Sequence, residues 1–233
     1  MELNLEADAQ SEHSAVNVRA GIAGLRLMMR VGRYVLPAEL SVTTLTHDTR
    51  GVHMSRLVNA AQSNTDAPHV EEALRGIVRD VNRTQKGAVA AARFSYPFKD
   101  VFASVEIRLQ RNAFTYIFRA PGITACPCSK KMAGVGHMQR AWLVVAMNSR
   151  SFVDIEEQVV KMLACFSAET TAMMKRADEA TRVIESQQNP KFVEDVVRDA
   201  ARRFPQAFYI EARSEESIHM HDAVAVMDRR APR

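Results

Sequence analysis

Much of what would mark a disulfide-stapled, membrane-spanning or nucleic-acid-coating protein is missing from this sequence. Three cysteines in 233 residues are too few, and odd in number, for a disulfide framework. Cys126 and Cys128 are therefore read as thiols, thiolate ligands or small buried residues. No run of eighteen or more apolar residues occurs, so no membrane partner is expected. The start, MELNLEADAQSEHS, lacks the cationic beginning and apolar core of a signal peptide. That absence predicts a cytoplasmic protein with a flexible tail over 1–18. The net charge is only +4, without a lysine-rich block or aromatic–basic alternation, so nucleic acid is not expected as a partner. A phosphorylated small molecule suits the same balance. GxGxxG, the Walker A loop, the GxSxG elbow and HExxH are all absent, which sets aside several common enzyme classes. There is no low-complexity tract and no glycine-rich linker. With 47% apolar and 25% charged residues, the chain suits one large domain or two small ones around a real core.

Periodicity supplies the elements. The segment up to His47 reads as short β segments, clearest in LSVTTLTH (40–47). Asp66 to Asn82 carries Val70, Leu74, Ile77, Val78 and Val81 at helical spacing. VFASVEIRLQ and NAFTYIFRAP alternate apolar and polar residues and form a hairpin through Arg111-Asn112. RAWLVVAMN (140–148) is a further strand. Asp154 to Ala177 has helical spacing, with a break near Ser167. The best helix is NPKFVEDVVRDAARRF (189–204), with Asn189 as N-cap, Pro190 in its first turn, and Glu194 and Asp195 at the positive end of the helix dipole. AFYIEARS and HDAVAVMD are the last strands. The fold class is α+β with antiparallel sheet.

The chemistry concentrates in GITACPCSKKMAGVGHMQR (122–140) and ESIHMHDA (216–223). If CPC is extended, as Pro127 encourages, Cys126 and Cys128 share a face, and His219 and His221 obey the same geometry. With His137, these donors are enough thiolate and imidazole for a zinc or ferrous site. The spacing is not that of a structural zinc module, and a buried turn beside a surface strand fits it equally. Ser129, Lys130 and Lys131 suit a phosphate or a solvated loop. His53 and Arg56 suit a pocket wall or simple packing, and Glu179 a solvated helical face.

TACPCSK, GHMQR, KRADE, NPKFVEDVVRD and ESIHMHDAVA, with RGVHMSRL upstream, together resemble the type IB GTP cyclohydrolases and their archaeal relatives. The motifs keep their order across residues 50–227. The resemblance implies a tunnelling fold (T-fold) of antiparallel sheets backed by helices, with modules over 19–120 and 121–233, the second carrying most ligands. It implies a homotetramer with active sites between subunits. The reaction implied opens the imidazole ring of GTP at C8, releases formate and gives a 7,8-dihydroneopterin phosphate, as the triphosphate or as the cyclic phosphate of the archaeal relatives. A non-catalytic purine- or pterin-binding T-fold protein is the alternative. Carried over, Cys126, His137, Glu179 and His219 surround one divalent metal (Zn, Fe(II) or Mn). Glu194 anchors the guanine N–H groups, since an ionised carboxylate only accepts hydrogen bonds. His219, His221 and His53 move protons. Lys130, Arg56 and Arg140 meet the triphosphate, and Cys128 shapes the pocket beside Cys126. GHMQR departs from the family's GHNQR at Met138.

Overall fold

The fold, a computed structural model, describes residues 8–230. Among them are eight strands, hydrogen-bonded in chain order in an antiparallel sheet, and six α-helices. The strands are β1 (Arg19–Val31), β2 (Tyr34–Leu45), β3 (Val89–Phe98), β4 (Val101–Gln110), β5 (Ala113–Ala125), β6 (Met138–Ser149), β7 (Ala207–Ser214) and β8 (Ala223–Asp228). The helices are α1 (Met54–Gln62), α2 (Val70–Asn82), α3 (Pro127–Ala133), α4 (Ile155–Leu163), α5 (Arg176–Gln188) and α6 (Val193–Arg203). This is the α+β class expected from the sequence. The chain divides into two compact units: residues up to Phe94 with Ile107–Phe114, and Ser95–Glu106 with Thr115 onward.

In the first unit the expected short β segments are two long strands, β1 and β2, paired from Arg19↔Leu45 to Val31↔Tyr34. Alternation along β2 buries Ala38, Leu40, Val42 and Thr44 on one face. Helix α2 buries Val70, Leu74, Ile77 and Val81 of the expected stripe, with Ala73 beside them, while Val78 is only half-buried. It starts at Val70 rather than Asp66 because Pro68 biases Ala67 away from helical dihedrals. Arg111 and Asn112 both have positive φ (49° and 64°), the two-residue hairpin geometry that matches strand twist. Of the expected tail over 1–18, residues 1–7 lie outside the described residues. The remainder is not free chain: the amides of Gly51, Arg50 and Ser14 donate to the carbonyls of Gln10, Glu12 and Asp48. Backbone pairing of this kind satisfies groups that an isolated tail leaves to water.

In the second unit β6 pairs with β7 and β7 with β8, all antiparallel, and α6 packs on β7 and β8 through Val193, Val196, Val197 and Ala200. The helix expected from Asp154 to Ala177 ends at Leu163. Beyond it the chain pairs with β5 instead: Ile123 N–H donates to Ala168 (3.0 Å) and Ser167 N–H to Ile123 (2.9 Å). Gly122 permits that approach, since a Cβ there stands 2.1 Å from the Phe166 ring. The helix expected over 189–204 is two elements. Asn189 closes α5, and α6 starts only at Val193. Pro190 disfavours helical dihedrals at Asn189, so the chain turns there. Asp195 Oδ2 then accepts from Phe192 N–H at 3.1 Å, satisfying one of the helix's orphan donors.

Candidate active site

Cys126 joins the end of β5 to the start of α3. It is the helix N-cap, with Pro127 in the first turn and Ser129 N–H 3.5 Å from Sγ. The expectation of an extended CPC is therefore corrected. Proline is well placed at the first helical position, where its missing N–H is an orphan anyway. The consequence is that the two cysteines part: Cys126 is half-buried, whereas Cys128 is exposed on α3 and does not line the cavity described below. The third, Cys165, is buried, and burial pushes its thiol up to about 11, which keeps it protonated and unreactive.

Gly134, with φ 79°, closes α3 in the left-handed conformation, and the chain returns along Cys126. Cys126 N–H donates to His137 O at 3.0 Å. Gln187 of α5 clamps the returning loop, accepting from Gly136 N–H (2.7 Å) and donating to Gly136 O (2.9 Å). A Cβ on Gly136 stands 2.5 Å from Cys126 O, inside contact distance of backbone that cannot swing away. Gly136→Ala is expected to force the Cys126 and His137 segments apart. Overpacking of this kind costs about 1–3 kcal/mol, measurable by urea unfolding, and metal affinity should fall with it.

Glu194 sits in the first turn of α6, exposed, where its charge meets the positive end of the helix dipole. Its approach is set by the segment before it. Lys191 N–H donates to Ala125 O (3.0 Å), next to Cys126, and Lys191 Nζ donates to Cys165 O (2.9 Å) and Asp199 Oδ2 (2.6 Å). Asn189 Nδ2 adds a bond to Phe166 O at 3.1 Å. The Lys191 and Asp199 side chains are only 12% and 20% exposed, so this ion pair is a partly buried bolt between Glu194 and the Cys126 strand end. Burial pushes the Asp199 carboxyl up, but the bonds and charges of Lys191 and Arg202 outweigh it and hold it below 3.8. A depressed carboxyl stabilises the fold above its unfolded value and loses that contribution as pH falls through its folded value. Lys191→Met, which leaves Asp199 with only the exposed Arg202 as partner, should cost about 1.5–3 kcal/mol near neutrality. Urea unfolding should show the gap to wild type narrowing as pH drops below 3.8.

These elements converge on a cavity of ≈ 390 Å³ in the second unit, lined among others by Cys126, His137, Glu194, Glu216, His219 and His221. The His219 and His221 rings stack at 5.2 Å, and the His137 and His219 rings meet edge-on at 6.2 Å. A thiol, imidazoles and carboxylates facing one space are a donor set that suits a borderline divalent ion. As placed, no three Cys, His, Asp or Glu side chains among the described residues stand close enough together to hold one. Glu179 lies exposed in the first turn of α5 and is not among the cavity's lining residues, nor are Lys130 and Arg140. His53 and Arg56 line a different cavity, of ≈ 270 Å³, in the first unit, with His47, Lys86 and Gln85. Gln85 Oε1 accepts from His53 N–H (2.9 Å), and its Nε2 is a buried donor without a partner among the described residues.

A family model described as type I GTP cyclohydrolase FolE2 matches residues 7–225. The chain belongs to the FolE2 family. Similar proteins, each named GTP cyclohydrolase FolE2, include that of Kosmotoga olearia, 30% identical over 95% of this chain and 98% of its own length. Those of Fervidobacterium nodosum (30%; 94% and 96%) and Nitrosomonas eutropha (27%; 97% and 95%) cover it comparably. As a FolE2 family member it is a GTP cyclohydrolase, an enzyme rather than a passive binding module. No helix among the described residues is long and apolar enough to cross a membrane. Within this FolE2 chain, sequence reasoning passed over Glu216, Gln139 and Lys191, all of which line the cavity. The one available signal was Glu216, an acid three residues before His219 in ESIHMH.

Proposed function

We propose that this chain hydrolyses GTP at C8, releases that carbon as formate and yields 7,8-dihydroneopterin triphosphate, with one divalent ion per active site. The observation that carries the reading is the meeting of Cys126, His137, Glu194 and His219 on one cavity, brought together from three separate stretches of the chain. At ≈ 390 Å³ that cavity falls within the usual range for small-molecule sites. Cys126, His137, Glu179 and His219 would hold a zinc, ferrous or manganous ion. When bound, the ion supplies Lewis-acid polarisation of water at the purine.

The chain's own residues do the rest. Glu194 presents two acceptor oxygens to the guanine N1–H and amino group, a match that orients C8. His221, stacked on His219, moves the protons that ring opening requires, with His53 serving the same end from the first unit's cavity in a neighbouring copy. Arg56, with Lys130 and Arg140, meets the triphosphate, whose oxygens suit guanidinium and ammonium donors. This arrangement calls for a T-fold homotetramer of two modules per subunit, with its active sites at subunit boundaries.

The test is incubation of metal-reconstituted protein with GTP, followed by mass analysis for formate and pterin. Dihydroneopterin triphosphate plus formate is expected. Absence of both with anaerobic Fe(II), Zn and Mn overturns the reading, and a cyclic phosphate product redirects it to the archaeal type.

A further inference from the structure

We propose that Gln139 is a positioning residue that sets the tautomer of His137 and thereby the ring nitrogen His137 offers to a metal ion. The inference rests on the metal-site reading above and assigns a role to a residue outside that ligand set.

The argument runs through donors and acceptors. Glu216, from the loop between β7 and β8, presents a carboxylate that is only 11% exposed and can only accept. Gln139 Nε2 lies 3.3 Å from Glu216 Oε1, so the amide end of Gln139 must face Glu216. Its carbonyl end is then turned to His137, with Oε1 2.8 Å from Nδ1. A carbonyl accepts, so His137 Nδ1 carries the proton. The second carboxylate oxygen, Glu216 Oε2 at 3.7 Å from the same nitrogen, favours the same protonation, and Ser217 Oγ at 3.5 Å, able to donate or accept, is compatible with it. In a neutral imidazole the other nitrogen, Nε2, then keeps its lone pair, and it makes no hydrogen bond among the described residues. The direction of the whole chain is set by the one group that cannot donate, and Gln139 transmits it.

Ligating histidines whose second nitrogen is held in this way bind metal more tightly, and loss of the holding residue typically costs about 10–100-fold in affinity. Gln139→Leu removes both contacts. In the metal-free protein, nitrogen NMR of the His137 ring, assigned by its absence in His137→Gln, should change from the Nδ1–H form to a mixture. Zinc affinity by chelator competition should fall about 10–100-fold. Gln139→Glu keeps the acceptor toward Nδ1 while losing the bond to Glu216. It should restore the Nδ1–H form, a rescue that simple packing does not predict. An unchanged tautomer in Gln139→Leu, or wild-type zinc affinity in that variant, overturns the proposal. Neither readout uses GTP. If the wild type fails to turn over GTP yet shows this tautomer dependence, the functional reading fails and the Gln139 inference stands.

Discussion

Cys126→Ser is expected to abolish formate release from GTP and to strip the protein of bound metal while leaving the fold intact. The structure makes serine the informative replacement. Cys126 has two duties: a thiol facing the cavity and an N-cap for α3. The cap is a long contact of 3.5 Å to sulfur, a weak acceptor, whereas serine is among the best N-caps. Stability should therefore hold or rise slightly. The thiolate, however, has no substitute at that place, and the hydroxyl is a poor ligand for a borderline ion. Turnover should fall by ~10³-fold or more, equivalent to roughly 4 kcal/mol of transition-state stabilisation. Metal content by elemental analysis, formate by mass spectrometry and the urea midpoint report the three outcomes separately. Cys128→Ser is the contrast, because Cys128 lies exposed on α3 outside the cavity lining. Equal loss from both substitutions would refute the separation of the cysteines that α3 imposes.

Glu194→Gln should do the reverse, sparing the metal and losing the nucleotide. Glutamine replaces one of two acceptor oxygens with a donor, which then opposes a guanine N–H. Hydrogen bonds to a charged group contribute about 1.5–3 kcal/mol each, so losing one and weakening the other should raise the KM for GTP by roughly 10²-fold. The cost to the fold is small. Glu194 is exposed, and its helix-dipole interaction amounts to about 0.3–1 kcal/mol. Calorimetric titration of GTP into metal-loaded protein checks this, and normal binding would remove Glu194 from the guanine-anchoring role.

Lys191 explains why Glu194 is held where it is, and it was hidden in the sequence. In NPKFVED it reads as a surface lysine in the first turn of a helix. In the fold it precedes the helix, because Pro190 ends the run from α5, and its ammonium lies against Asp199 and Cys165 O. The same kind of miss occurred at CPC. Local geometry allowed either an extended strand or a helix start, and periodicity over three residues has no power to choose between them. The packing of the returning loop on Cys126, possible only at Gly136, favours the helix start.

Residue order alone determined the α+β class, most of the buried stripe of α2, the hairpin at Arg111-Asn112 and the family. Each is a property of neighbours a few positions apart, or of motifs kept in order, and these survive without knowledge of distant contacts. Tertiary structure decided which donors share a space. Cys126, His137, Glu194 and His219 were legible as candidates from their motifs. Gln139 and Glu216, 77 residues apart, acquire meaning only when β6 and the loop after β7 bring an amide to a carboxylate. A hydrogen bond depends on which group can donate, which the side chains themselves fix, and on distance, which only chain folding sets for residues so far apart in sequence.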